Sequence, residues 1–174
     1  MSSFRAILLD FDGVMVHTMP LLFRMFCDKQ GNILLWNEQE YDASLLSFLL
    51  YCREHEIRLA IGSNSRVDYI QHTLKKMHIQ DYFVTWEHVP TIFGREQIRI
   101  SKSDPDFWKQ CADSLWVFYH QCLVVEDSIP GIIGAKDWGM KSCYFHRFSS
   151  PQKDCLSMAD YHVDNFDDII KLVT

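Results

Sequence analysis

Short apolar runs rich in Ile, Val, Leu and Tyr alternate along the chain with longer segments in which apolar residues recur at helical spacing. A short apolar run bounded by turn residues reads as a buried strand, and a recurring apolar stripe reads as a helix lying on a core. On this basis strands are predicted at Ala6–Leu9, Ile57–Ile61, Tyr82–Thr85, Cys122–Val125, Ser142–Phe145 and Tyr161–Val163. Helices are predicted at Asp42–His55, Arg66–Met77, Pro105–Tyr119, Pro130–Trp138 and Phe166–Leu172. Between Met15 and Asp42 the pattern is less regular: Met19–Lys29 reads as a helix, Gly31-Asn32 as a turn and Ile33–Trp36 as half of a hairpin. Ser149–Lys153 reads as a surface loop. Strands alternating with helices predict an α/β fold, a doubly wound, Rossmann-like parallel sheet. In such sheets ligands bind beyond the carboxyl ends of the strands, so the polar residues at those ends are where chemistry is expected.

Composition narrows this picture. A chain of 174 residues, 48% of them hydrophobic, has apolar surface for one ordinary core and no room for a second full domain. The formal net charge is -6, and no basic run is dense enough to track a phosphate backbone, which makes nucleic acid a poor expectation. Six cysteines are scattered without a CxxC pair, as expected of reduced thiols rather than a zinc cluster or a disulfide framework. The first apolar run is broken by Asp10 and Asp12, unlike a secretory signal. No uncharged apolar stretch reaches the ~18 residues of a membrane span. The expectation is a soluble cytoplasmic protein.

Three strand ends and one helix start carry groups suited to phosphate chemistry. The first strand runs into Asp10-Phe11-Asp12-Gly13-Val14, and strand alternation would point both carboxylates to one face. Two converging acids repel unless a cation lies between them or one is protonated. Taken alone, DxDG also suits calcium loops and solvated turns. The second strand ends in Gly62-Ser63-Asn64-Ser65 before a helix, where a hydroxyl and free amides can cradle phosphate. A plain N-cap is the ordinary alternative. Lys102 precedes a helix whose first position is expected at Pro105, and it could neutralise a phosphoryl group, although most lysines are solvated surface charges. Leu123-Val124-Val125 ends in Glu126-Asp127-Ser128, then Pro130-Gly131, and acids at a buried strand end call for a partner such as Mg2+.

In this order the four motifs resemble the haloacid dehalogenase superfamily, in particular its phosphatase and phosphomutase branch, over roughly residues 4–173. The resemblance implies that Asp10 is a nucleophile forming an aspartyl phosphate. It further implies that Asp12 protonates the leaving oxygen and then deprotonates water. It implies that Ser63, Asn64 and Lys102 hold the phosphoryl oxygens. Mg2+ would be held by Asp10, the Asp12 carbonyl and Asp127, with Glu126 as a ligand or behind one. Dehalogenases in the family lack an acid at the position of Asp12, so phosphoryl transfer is the expected chemistry.

Some features depart from the family. Relatives insert a helical cap after the first motif, whereas residues 15–42 are too few for one, so the cap is expected to be reduced or missing. An open site suits a phosphate carried on a large partner, a phosphoprotein with phosphotyrosine a good candidate. A small metabolite covered by a second subunit is the rival reading. Ser103 stands where proline is common, His17 stands where many relatives have an acid, and Trp86–Arg99 is a bulky, basic loop that could meet substrate or simply lie on the surface. A phosphomutase, or a noncatalytic module using the same fold, is the competing class.

Overall fold

The computed structural model describes residues 4–18, 41–84 and 89–174. Strand β1 (Ala6–Leu9) is buried along its whole length. Ile7 and Leu9 face one apolar cluster with Leu59, Ile61, Leu123 and Val125. Ala6 and Leu8 face a second cluster with Ala60, Cys122 and Val124. Burial on both faces explains why the strands read as continuous apolar runs rather than alternating ones.

The remaining strands are β2 (Arg58–Gly62), β3 (Ile92–Phe93), β4 (Cys122–Glu126), β5 (Lys141–Phe145) and β6 (Tyr161–Val163). They form one six-stranded sheet in the order β3-β2-β1-β4-β5-β6, with every pair parallel. Helices α1 (Leu45–Glu54), α2 (Val67–Lys76) and α6 (Phe166–Val173) contribute Phe48, Leu49, Ile70, Leu74, Phe166 and Ile169 to the first cluster. Helix α3 (Pro105–Ser114) packs Phe107, Trp108 and Cys111 into the second, joined by Ala135 of α4 (Ile129–Lys136). Cys155 of the short α5 (Lys153–Met158) packs with Ile132 and Tyr144. The chain order reverses at β1, which lies between β2 and β4, so the carboxyl ends of these three strands form the crevice where such sheets bind ligands.

Helices α1 and α2 stop in the same way. Ile57 N donates to Cys52 O at 2.8 Å and Ile79 N to Leu74 O at 3.0 Å, each across a residue in the left-handed region, Glu56 (φ 55°) and His78 (φ 56°). Trp116, just past α3, has φ 55°. Glycine usually fills this position, because a Cβ there is disfavoured by about 1–2 kcal/mol.

Five of the six expected strands are present within a residue or so of their predicted bounds. The strand expected at Tyr82–Thr85 is not. Gln80–Tyr82 is a 3-10 turn, Phe83 turns into the core, and Val84 is exposed. The edge position is taken instead by Ile92–Phe93, which lies inside the expected 86–99 loop and pairs with Ile61 and Gly62. The helix expected at Pro105–Tyr119 ends at Ser114, and α5 begins in the tail of the expected Ser149–Lys153 loop. The helix, turn and hairpin expected between Met19 and Trp36 lie outside the described residues. Cys52, Cys111, Cys122, Cys143 and Cys155 are buried and unpaired, and burial pushes the Cys52, Cys122 and Cys143 thiols up to about 12. Cys27 lies outside the described residues. No helix among those described is long and apolar enough to cross a membrane.

Helix α4 approaches the Lys102 loop through Gly134, where a Cβ would stand 2.0 Å from the Lys102 carbonyl oxygen. Backbone cannot swing aside as a side chain can. Gly134→Ala is therefore expected to destabilise the fold by about 1–3 kcal/mol, the range for overpacking. In a thermal melt followed by circular dichroism this is a loss of about 3–10 °C. An unchanged melting temperature would show that α4 does not rest on that loop.

Candidate active site

The ladder continues one residue past β1, with Asp10 N donating to Val125 O at 2.9 Å, which fixes Asp10 against β4. The chain then turns. Met15 N and Val16 N both donate to Phe11 O, at 3.0 and 3.1 Å, and Gly13 N donates to Val16 O at 2.8 Å. The turn needs Gly13 twice over: its φ is +87°, and a Cβ would stand 2.0 Å from Asp127 Oδ2. Because the strand ends before Asp12, that residue is placed by the turn and not by strand alternation, and the two carboxylates meet different partners.

Asp10 meets the buried ammonium of Lys102. The Lys102 Nζ is 2.5 Å from Asp10 Oδ1 and 2.9 Å from Glu126 Oε2, and it lies 5.7 Å from the centre of the Trp108 ring. Phe11 N donates to the same Asp10 oxygen at 2.7 Å. Trp108 is locked in turn by its Nε1, which donates to Gly131 O at 3.0 Å. The second oxygen of Glu126 accepts from Asp127 N at 3.2 Å, Ser128 N at 3.1 Å and Ser128 Oγ at 2.8 Å.

Carboxylate oxygens of Asp10, Glu126 and Asp127 all lie within 4.8 Å of one another. Three acids share one cation, and their protonation reflects it. Burial would raise Glu126, but Lys102 and the hydrogen bonds from Ser128 and Asp127 outweigh it and hold Glu126 below the usual carboxylate range. Burial and the charge of Glu126 push Asp10 well above that range despite Lys102. The same two causes push Asp127 up to about 7. Burial also works against the charge on Lys102, yet Asp10 and Glu126 keep its pKa raised. Fully ionised, three carboxylates and one ammonium leave an excess of two negative charges, which a divalent cation would balance. Hard oxygen donors are also the set that such an ion prefers.

Asp12 stands apart from this cluster. Its Oδ2 accepts from Ser65 Oγ at 2.5 Å and from Ser63 Oγ at 3.3 Å, and Ser63 Oγ accepts from Ser65 N at 3.0 Å. Neither serine caps the following helix, whose N-cap is Arg66 with no side-chain cap bond, so the ordinary N-cap alternative does not hold. The cradle is backed by β3: Ser63 N donates to Phe93 O at 2.9 Å and Arg95 N to Ser65 O at 3.1 Å.

The structure thus brings together Asp10, Lys102, Glu126 and Asp127, and sets Asp12 with Ser63 beside them, while Asn64 is exposed at the mouth. Lys102 reaches the site although Ser103 replaces the common proline. Pro105 opens α3 as expected, behind an Asp104 N-cap that accepts from Asp106 N at 3.0 Å. The contact of Ser65 with Asp12 and the anchoring role of Trp108 are not read from the sequence. The repeated hydroxyl in Ser63-Asn64-Ser65 was a signal for the first, and nothing local marks the second. His17 stacks on Phe148 with ring centres 4.8 Å apart. Trp86 and His88 of the expected substrate-facing loop lie outside the described residues, and Arg95 and Arg99 are exposed.

The fold is shared with solved structures of low sequence identity. A putative beta-phosphoglucomutase from Thermotoga maritima superposes with a TM-score of 0.81 at 17% identity, over 98% of this chain and 100% of that one. A HAD phosphatase from Thermococcus onnurineus gives 0.76 at 17% identity, over 97% of each chain. A predicted phosphoglycolate phosphatase from Haemophilus somnus gives 0.78 at 16% identity, over 100% of each. In sequence, the chain is 31% identical over 88 residues to the bifunctional riboflavin kinase/FMN phosphatase of Arabidopsis thaliana. That match takes in 50% of this chain and 22% of the relative, so the chain spans about a fifth of that protein's length. Residues 37–145 match the family described as haloacid dehalogenase-like hydrolase, which is more than half the chain, and with the geometry above this establishes that the chain belongs to that family.

Proposed function

We propose that this chain is a Mg2+-dependent phosphomonoesterase acting through an aspartyl phosphate on Asp10. The observation that carries the reading is the division of labour between two nearby acids: Asp10 in a buried cluster with Lys102, Glu126 and Asp127, and Asp12 outside it on two hydroxyls. An ionised Asp10 oxygen attacks phosphorus while the bond from phosphorus to the ester oxygen breaks, and protonated Asp12 gives its proton to that leaving oxygen. Asp12 then takes a proton from the water that attacks the aspartyl phosphate, which releases phosphate and restores Asp10. Lys102, Ser63 and the Asn64 amide hold the phosphoryl oxygens through these steps. Asp10, Asp127 and the Asp12 carbonyl, with Glu126 behind them, would hold Mg2+. When bound, that ion supplies charge neutralisation that lets an anionic nucleophile approach an anionic phosphate.

The substrate follows from access. The 15–42 segment is too short for a full cap, and a single catalytic domain with a reduced cap would admit a phosphate displayed on a protein surface, phosphotyrosine included. The match to an FMN phosphatase favours a second reading, a small phosphate monoester.

Initial phosphate release is measured from phosphotyrosine and phosphoserine peptides, FMN and sugar phosphates, with and without Mg2+. Asp10→Asn is expected to lower release by at least about a thousandfold, or ~4 kcal/mol of barrier. Peptide turnover above that of FMN supports the open-site reading, and the reverse order supports the metabolite. The absence of Mg2+-dependent release from every compound would leave only a binding role for the fold.

Mg2+ at a hundredfold excess over its Kd is expected to stabilise the protein by about 2.7 kcal/mol. This is a rise of about 5–10 °C in melting temperature, and it should be lost in Asp127→Ala.

Removing the buried cation has the opposite effect. Lys102→Met strands Asp10 and Glu126 without a counter-charge and is expected to lower stability by about 3–5 kcal/mol. Adding Glu126→Gln should recover part of the loss in a urea titration. A double variant no more stable than Lys102→Met would show that the pair is not coupled.

A further inference from the structure

A second concave feature lies at the opposite, amino-terminal edge of the sheet. Arg5 just before β1, Arg58 at the start of β2 and Gln121 just before β4 border a groove of about 930 Å³. Buried Leu49, Ile57 and Leu115 are among the residues that line it. Among the described residues, the three most exposed large apolar side chains are Trp116 (77%), Phe118 (72%) and Val84 (68%), and all three stand on its walls. Such side chains scattered singly are ordinary, but gathered around one hollow they mark an interaction surface.

Two strained turns border the groove. Two of the non-glycine residues in the left-handed region, Glu56 and Trp116, line this groove. Glycine would serve both turns without strain, and each instead presents a large side chain to the groove, whereas His78, the third such residue among those described, lies elsewhere. The Arg58 guanidinium donates to the carbonyls of Leu115 and Trp116, which holds the Trp116 turn in place. Arg53 lies over the Tyr82 ring at 4.8 Å.

The rim carries both signs of charge, Arg5, Arg53 and Arg58 against Glu56 and Asp81. A rim built for a basic or an acidic partner would carry one sign. Protruding aromatic side chains beside a hollow, with both charges around it, form a surface that matches a copy of itself related by a two-fold axis. Trp, Tyr and Arg are also the residue types that dominate interface energetics. We propose that this groove is the interface of an isologous homodimer, in which Trp116 and Phe118 of each copy enter the groove of the other and the acids of one copy meet the arginines of the other. Since the groove lies at the strand ends opposite Asp10, neither copy would lie over the other's cleft, so this dimer would not supply a cap.

Sedimentation velocity from about 1 to about 100 µM, a range that brackets micromolar affinity, tests the proposal. The wild-type chain is expected to sediment at twice its own mass at the upper end. Trp116→Gly is expected to weaken association at least about tenfold, as loss of a central aromatic anchor does. Its melting temperature, measured at a concentration where both proteins are monomeric, should be unchanged or raised, because glycine adopts the turn without strain. Glu56→Arg, at an exposed position, should weaken association as well. A wild-type chain that remains monomeric throughout overturns the proposal and leaves the groove to a partner of different sequence. A Trp116→Gly variant that dimerises as tightly as wild type overturns it too.

Discussion

One buried ammonium organises the carboxyl end of the sheet. Lys102 is held between Asp10 and Glu126 with almost no exposure to water, and an ion pair so placed survives only if its geometry is nearly complete. Much of the surrounding structure supplies that completeness. Ser128 gives both its amide and its hydroxyl to the far oxygen of Glu126. Trp108 places its ring near the ammonium while its indole nitrogen ties α3 to the start of α4. Gly134 lets α4 close on the Lys102 backbone without a side chain between them. A sheet, two helices and a loop thus converge on a single charge.

That charge is not enough for its neighbours. With three acids and one base in a volume a few ångströms across, the surplus is negative, and burial and Glu126 raise both Asp10 and Asp127. Asp12, two residues from Asp10, escapes the crowd because the Phe11–Met15 turn carries it across to the hydroxyls of Ser63 and Ser65. Two acids thus stand in different surroundings, one among buried charges and one among hydroxyls, within three residues of chain.

The strand ends that carry this chemistry were legible in the sequence, because a strand buried on both faces is an unbroken apolar run and its first polar residue marks where it ends. Asp10, Ser63 and Glu126 are each found this way. Lys102 was legible through the Pro105 helix start that follows it. What was missed had no such signature. Ile92–Phe93 is a two-residue strand, too short to show any period, whereas the Tyr82–Thr85 run imitates a strand but spends Phe83 on the core and leaves Val84 in solvent. The early end of α3 was hidden by Trp116, since the left-handed residue that stops a helix is ordinarily announced by glycine. Trp108 belongs to the site only through contacts distant in sequence, which no local pattern records.

The brevity of β3 also sets how firmly the two halves of the site are held. Asp10 and Glu126 belong to the middle of the sheet, where β1 and β4 share four residue pairs and both faces are covered, so they can be lost only with the core itself. The Ser63–Ser65 segment follows β2, which shares four residue pairs with β1 on one side but only two with β3 on the other. Local opening follows the contacts that must be broken, and β3 has the fewest ladder pairs in the sheet. The acid cluster around Asp10 is thereby enclosed by the centre of the sheet, while the Ser63–Ser65 wall of the cleft has its shortest strand as outer neighbour, so the two walls differ in how much structure must move before either shifts.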